Sequence, residues 1–155
     1  MSIILSMNDK YKSWLLVSVQ AILLVLLIFF TDSGPSSYKL IGEIIKISGA
    51  IILLFSFWDL RKSLTALPTP VENGVLQIHG LYRYVRHPMY VGVLTLSLGI
   101  CVANTSVTKY VLLAALYVLF SYKSRFEEQL LLAKYPGYKK YMSRTNRFIP
   151  KVRQM

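Results

Sequence analysis

Cysteine, histidine and acidic residues are scarce in this sequence. Its 155 residues include one cysteine, two histidines and seven Asp and Glu residues, against 18 Lys and Arg residues. The single cysteine, Cys101, excludes a disulfide within the chain and any zinc site built on several cysteines. Because Cys101 stands inside an apolar run, we interpret it as a small packing residue.

A high apolar content is combined here with a strong positive charge. Hydrophobic residues make up 54% of the chain, and the formal net charge is +11. Membrane proteins show both properties, because their apolar spans are joined by loops that are rich in Lys and Arg on one side of the bilayer. Strong basicity is also typical of nucleic-acid-binding domains, but no motif of that class stands out. We therefore predict a protein of the lipid bilayer that binds no nucleic acid.

Four apolar segments predict an all-α fold, a polytopic membrane helical bundle with about four transmembrane helices. The segments are residues 14–30, 40–58, 89–103 and 107–122. A helix needs about 20 apolar residues to cross a hydrocarbon core about 30 Å thick, so the first two segments nearly suffice and the last two are shorter. Only Asn104-Thr105-Ser106 separates the last two, which predicts a tight helix 3–helix 4 hairpin. The fourth helix is expected to continue to about Lys134, because Pro136-Gly137 is a strong stop signal.

Basic residues are distributed unevenly between the predicted loops. If the N-terminus lies in the cytosol, fifteen Lys and Arg residues fall on the cytosolic side and only Lys39 and Lys109 on the other. By the positive-inside rule, this distribution predicts that both termini and the C-terminal tail are cytosolic.

The hairpin is expected to bring two polar segments together at the cytosolic membrane boundary. Proline suits the first turn of a helix, so helix 3 is predicted to begin near Pro88, directly after His87. His87 and Lys123 are each eighteen residues from Thr105, which places them at the same depth in antiparallel helices. Glu127 and Glu128 then lie about one helical turn beyond that level. An imidazole and two carboxylates should therefore meet beside the hydrocarbon.

These residues also resemble a family of integral membrane methyltransferases. The chain contains Gly80-x-Tyr82-x-x-x-Arg86-His87-Pro88-x-Tyr90-x-Gly92, then Glu127-Glu128, Tyr138-x-x-Tyr141 and Ile149-Pro150. In this order and spacing, the motifs are similar to those of the isoprenylcysteine carboxyl methyltransferases and the related phospholipid methyltransferases. The resemblance implies two parts, namely membrane-anchoring helices 1 and 2 in residues 1–63 and a catalytic region in residues 64–155.

The resemblance implies S-adenosylmethionine as the methyl donor and S-adenosylhomocysteine as its product. The residues that it implies for donor binding are Tyr82, Arg86, His87, Pro88, Tyr90, Glu127, Glu128 and Tyr141. Glutamate can accept hydrogen bonds from the donor's ribose or amino group, and aromatic rings can flank its adenine or its cation. Methyl transfer is an in-line displacement that depends on positioning and on exclusion of water. Because such a reaction requires no metal, we predict no metal site.

The methyl acceptor is expected to be lipid-like and to enter from the bilayer. Catalytic roles are assigned to Arg144, Glu128 and Tyr90, with Arg144 matching the family's arginine near a methyl-accepting carboxylate. Carboxyl methylation of an isoprenylcysteine-like substrate is therefore the leading hypothesis, and N-methylation of an ethanolamine headgroup is the alternative. The segment Thr145-Asn146-Arg147-Phe148 departs from the carboxyl methyltransferases and leaves both acceptors open.

Two other classes of function fit parts of the sequence. A non-enzymatic membrane adaptor would retain the hairpin as a scaffold. A transporter subunit would use Glu43 and Lys46, although their i, i+3 spacing favours a simple ion pair on one helix face. Asp59, close to Arg61 and Lys62, is interpreted as a solvated helix end. No motif indicates an oligomeric state.

Overall fold

The chain folds into α-helices in the computed structural model, which describes residues 7–30, 37–61 and 76–151. The helices are α1 (Met7–Phe29), α2 (Lys39–Leu60), α3 (Pro88–Asn104), α4 (Val107–Lys134) and α5 (Tyr138–Arg144). A 3-10 turn at Gly80–Arg83 precedes α3. The all-α prediction is thereby confirmed. The predicted boundary between an anchoring and a catalytic part, at residues 63 and 64, lies outside the described residues.

By length and composition, α1 and α2 can cross a membrane. The candidate spans are Asp9–Phe29 and Lys39–Leu60, with mean hydropathies of 2.2 and 2.0. Many of their large apolar side chains face outward, and Leu40 and Leu54 are 74% and 71% exposed. Exposed apolar faces of this extent suit a surrounding of lipid and not of water. The apolar helix α3 is shorter, so the described residues contain two candidate spans where the sequence predicts about four.

Glycines bring α2 and α3 into close contact. Gly42 and Gly49 lie on the buried side of α2, and Gly92 and Gly99 lie on that of α3. A Cβ atom at Gly99 would lie 2.5 Å from the backbone nitrogen of Lys46. In a membrane, small residues permit such close approach and so increase the van der Waals contact that drives helix association. This interface holds α3, and the polar segment before it, against α2.

The helices α3 and α4 form the predicted hairpin. Pro88 occupies the first turn of α3 and His87 is its N-cap residue, while α4 ends at Lys134, as expected. Thr105 ends α3 in the left-handed conformation with φ 43°. The side chain of Ser106 then accepts a hydrogen bond from a backbone N–H in the first turn of α4 and caps that helix. These local signals set the register of α3 against α4.

Two predictions about α2 have different outcomes. Lys46 Nζ lies 2.7 Å from Glu43 Oε1, so the predicted i, i+3 pair is confirmed. The interpretation of Asp59 as a solvated helix end is wrong, because its Oδ2 accepts a hydrogen bond from the backbone N–H of Leu81 at 2.9 Å. Gly80 has φ +61°, and a Cβ atom there would clash with the Asp59 carboxylate, so this position requires glycine. Asp59 thus attaches the 3-10 turn to the end of α2.

Candidate functional site

Six polar side chains from three parts of the chain meet in a group that we call the carboxylate cluster. Its members are Arg86, His87, Tyr90, Glu127, Glu128 and Arg147. The first three surround the start of α3, the two glutamates lie on α4 beyond its apolar residues 107–122, and Arg147 follows α5. The predicted convergence of the Arg-His-Pro segment with the glutamate pair is confirmed.

Glu128 is the most heavily paired member of the cluster. Its Oε1 accepts a hydrogen bond from Arg86 Nε at 2.8 Å and lies 3.3 Å from His87 Nε2. Its Oε2 accepts two hydrogen bonds from Arg147, at 2.9 and 2.6 Å. Burial raises the pKa of Glu128, but the hydrogen bonds from His87, Arg147 and Arg86 outweigh it and lower the pKa to about 2. Both carboxylate oxygens are therefore engaged within the protein.

His87 bridges the two carboxylates. Its Nδ1 lies 3.4 Å from Glu127 Oε2, and its Nε2 faces Glu128. Burial lowers the pKa of His87, but the hydrogen bonds to Glu127 and Glu128 outweigh it, so the pKa is raised above its ordinary value. This favours the imidazolium form, in which both ring nitrogens are donors.

Glu127 is the more accessible carboxylate. Its side chain is 29% exposed, whereas that of Glu128 is 3% exposed. Tyr90 Oη donates a hydrogen bond to Glu127 Oε2 at 3.0 Å. Burial raises the pKa of Glu127, but the hydrogen bonds from His87 and Tyr90 outweigh it, and the pKa is lowered. Glu127 is thus an ionised acceptor whose side chain is partly exposed.

The ring of Tyr90 is held between two other rings. It stacks on His87 with 5.3 Å between centroids, and on Phe120 with 4.5 Å. Offset stacking of this kind fixes the plane of a ring and adds to the stabilisation that comes from burial alone. The hydroxyl that contacts Glu127 therefore has a defined direction.

Backbone hydrogen bonds hold the segment after α5 beside the start of α3. Arg86 N donates to Asn146 O at 2.9 Å, and His87 N donates to Arg147 O at 3.1 Å. The Arg86 guanidinium also donates to the carbonyl oxygen of Thr145. This docking brings Arg147 to the cluster, where sequence reasoning had not assigned it a donor-site role. No local motif marks Arg147, because its position depends on pairing between segments sixty residues apart.

The other predicted donor-binding residues surround the cluster without joining its ion pairs. Pro88 is buried at the start of α3. Tyr141 Oη donates a hydrogen bond to the backbone oxygen of Tyr82. Burial raises the pKa of Tyr82, and it raises that of Tyr141 to about 12. Both phenols are therefore protonated at neutral pH and can donate hydrogen bonds.

Arg144 lies outside the cluster, in a cavity of about 1090 Å³ that we call the basic pocket. The pocket is lined by four cationic residues, Arg83, Lys140, Arg144 and Lys151. No acidic side chain is among its described lining residues, and no member of the carboxylate cluster lines it. Tyr84, Tyr141 and two aliphatic residues supply aromatic and apolar surface. The structure thus brings Glu128 and Tyr90 together but places Arg144, the third predicted catalytic residue, in a separate cavity.

Comparison with known protein families gives a match over much of the chain. The model of the phospholipid methyltransferase family matches residues 38–137, which is more than half of the chain. The match includes α2, α3 and α4 and leaves out α1 and α5. No curated protein matches the chain.

Proposed function

We propose, from the premise that this chain belongs to the phospholipid methyltransferase family, that its carboxylate cluster binds S-adenosylmethionine and its basic pocket holds the headgroup of a lipid acceptor. The family consists of membrane methyltransferases that use S-adenosylmethionine, so the chain is a multi-pass membrane enzyme of that kind and its acceptor is of lipid type.

The observation that carries the donor assignment is the accessible carboxylate of Glu127 in an otherwise closed network. The donor has a sulfonium, an ammonium and a carboxylate, so its net charge is positive. Glu127 can accept hydrogen bonds from the ammonium or from ribose hydroxyls. The Tyr90 hydroxyl beside it donates a hydrogen bond that orients this carboxylate. When bound, the donor supplies an electrophilic methyl group, and these residues hold and orient it.

Glu128 stabilises this site through its contacts with other protein side chains. Its two oxygens are engaged by Arg86, His87 and Arg147, so we assign it to positioning and not to direct contact with the donor. Catalysis of methyl transfer depends on alignment of the reactants, and errors of about 1 Å can cost about a hundredfold in rate. A network that fixes His87 and the start of α3 serves this need.

The charge of the basic pocket favours an anionic group of the acceptor. Four cations converge there, and the cluster, with its carboxylates, lies elsewhere. An acceptor whose reacting group is its own carboxylate would bring the reaction into the pocket. A phosphoethanolamine headgroup instead carries its anion and its methyl-accepting nitrogen as separate groups. Its phosphate would occupy the pocket while its amine extends toward Glu127. The nitrogen would give up a proton to this carboxylate or to water before it attacks the methyl group. This arrangement favours headgroup N-methylation over carboxyl methylation.

Carboxyl methylation of an isoprenylcysteine-like acid is the second candidate. Arg144 supports it, because a guanidinium can bind a carboxylate through two parallel hydrogen bonds and direct one oxygen outward. A carboxylate also needs no deprotonation before it attacks. The two candidates therefore differ in whether Arg144 holds the reacting group or a separate anion.

Orientation is part of the proposal. The cluster and the pocket lie at the same end of α3 and α4 as α5 with its basic residues. By the positive-inside rule, we place this end in the cytosol, with both termini. The donor then enters from the cytosol and the acceptor enters laterally from the bilayer.

Two experiments test these assignments. Isothermal titration of the detergent-solubilised protein with S-adenosylhomocysteine should show saturable binding, which Glu127→Gln weakens and the distant Glu43→Gln does not. The absence of saturable binding would refute the donor assignment. Reconstituted protein given tritiated S-adenosylmethionine should then label phosphatidylethanolamine. Label that enters only prenylcysteine analogues would establish the second candidate instead.

A further inference from the structure

The helix α1 reaches the candidate site through one polar side chain. Gln20 lies within the apolar span Asp9–Phe29, and its Oε1 accepts a hydrogen bond from Lys123 Nζ of α4 at 2.6 Å. Lys123 is only 4% exposed. A buried ammonium needs a polar partner, and burial of an amide inside an apolar span costs free energy unless the amide is hydrogen-bonded. The pair is therefore unusual in a helix that lies outside the region matched by the family.

Lys123 connects this pair to the carboxylate cluster. Its Nζ lies 5.5 Å from the centre of the Tyr90 ring, within the range of a cation–π interaction. Tyr90 in turn donates its hydroxyl hydrogen to Glu127. A continuous series of contacts thus runs from Gln20 through Lys123 and Tyr90 to the accessible carboxylate.

We propose that Gln20 and Lys123 are positioning residues of the donor site, so that α1 is a functional part of the enzyme as well as an anchor. A lysine side chain has a flexible stem, and its ammonium adopts one place only when a partner fixes it. Gln20 fixes the ammonium beside Tyr90, and the ammonium restrains the ring whose hydroxyl orients Glu127. The inference rests on the proposed function, because it assumes that the donor contacts Tyr90 and Glu127.

A polar clamp that only joins α1 to α4 would use the same hydrogen bond. Such a clamp would affect stability and leave the donor's affinity unchanged in the folded protein. Leu16 provides the matched comparison, because it is buried on α1 one helical turn before Gln20. Leu16→Ala weakens the packing of α1 and retains the Gln20 amide.

The test compares donor-product affinity with thermal stability in Gln20→Leu, Gln20→Glu, Leu16→Ala and the unmodified protein. Isothermal titration with S-adenosylhomocysteine in detergent should show affinity about tenfold lower for Gln20→Leu, a typical size for coupling between residues in contact. Gln20→Glu keeps an oxygen acceptor for Lys123 and should restore the affinity. Leu16→Ala should lower the melting temperature and leave the affinity unchanged. The KM for the lipid acceptor should be the same in all four proteins.

Two outcomes would overturn the inference, and they differ in their reach. Saturable binding to the unmodified protein with equal affinity for Gln20→Leu would refute the positioning role alone. No saturable binding to the unmodified protein would refute the proposed function as well. If Gln20→Leu does not fold, Gln20→Asn makes the same test, because its amide is retained but its reach is shorter by one methylene.

Discussion

The carboxylate cluster and the basic pocket share the segment after α5 but use charge in opposite ways. In the cluster, three cationic groups surround Glu128, and both of its oxygens are engaged. In the pocket, four cations converge, and the described lining includes no carboxylate. Thr145 links the two, since it lines the pocket while its carbonyl accepts a hydrogen bond from Arg86. The charge of Glu128 is thus paired within the protein, whereas the pocket carries a charge that a ligand can neutralise.

Removing the charge of Glu128 should produce the largest effect. Glu128→Gln leaves Arg86 and Arg147 facing a neutral amide, and Arg86 is nearly buried. Breaking a buried ion pair by removing one partner typically costs about 3–5 kcal/mol. The free energy of unfolding in detergent should fall by about this amount. Glu127→Gln, at the more exposed carboxylate, is the control and should cost less. Equal losses in the two variants would contradict the distinction between a positioning and a contacting glutamate.

In the basic pocket, Arg144→Gln should weaken binding of the acceptor and leave binding of the donor unaffected. A hydrogen bond to a charged group contributes about 1.5–3 kcal/mol, so the acceptor KM should rise about tenfold or more. Lys139→Gln is the matched control, because Lys139 is an exposed cation of α5 that does not line the pocket. If Arg144→Gln lowers affinity for S-adenosylhomocysteine instead, the pocket holds the donor and the two regions exchange roles.

The cluster should respond to pH on both sides of neutrality. The raised pKa of His87 means that its contribution is complete below the ordinary value of 6.5 and is lost as the pH rises through the folded-state pKa. The lowered pKa of Glu128 means that its contribution is complete above 4.5 and is lost as the pH falls toward about 2. Each unit of pKa shift corresponds to about 1.4 kcal/mol. Unfolding measured from pH 3 to 9 should show an acid decline and an alkaline decline, and His87→Gln should remove the alkaline one. An unchanged alkaline decline in that variant would assign it to another group.

The helix ends and the meeting of α3 with α4 were predictable because local residues determine them. Pro88 starts α3, Thr105 and Ser106 form the turn, and Pro136 follows the end of α4. Once these ends were known, counting residues from the turn placed His87 beside the glutamates. A constant rise per residue makes such counting reliable for antiparallel helices.

The remaining features depend on contacts between distant segments. Arg147 reaches Glu128 only because the segment after α5 pairs with residues before α3. The close approach of α2 and α3 depends on glycines, such as Gly49, that carry no chemical signal in the sequence. Lys123 was expected at the depth of His87, but no sequence pattern indicates that Gln20 of α1 is its partner. Local patterns fix the ends of elements, whereas the partners of their side chains follow from packing.

The smallest expected effect comes from removing a single tyrosine hydroxyl group in each of the two regions. Tyr90→Phe keeps the ring that stacks on Phe120 and removes only the hydrogen bond to Glu127. A typical hydrogen bond contributes about 0.5–1.5 kcal/mol, so affinity for S-adenosylhomocysteine should fall about two- to tenfold. Tyr84→Phe makes the same change on the lining of the basic pocket. Titration and acceptor kinetics should show that the first variant affects only the donor and that the second leaves donor affinity unchanged. If Tyr84→Phe lowers donor affinity as much as Tyr90→Phe does, both regions contact one ligand. A change confined to an acceptor pocket should leave donor affinity unchanged.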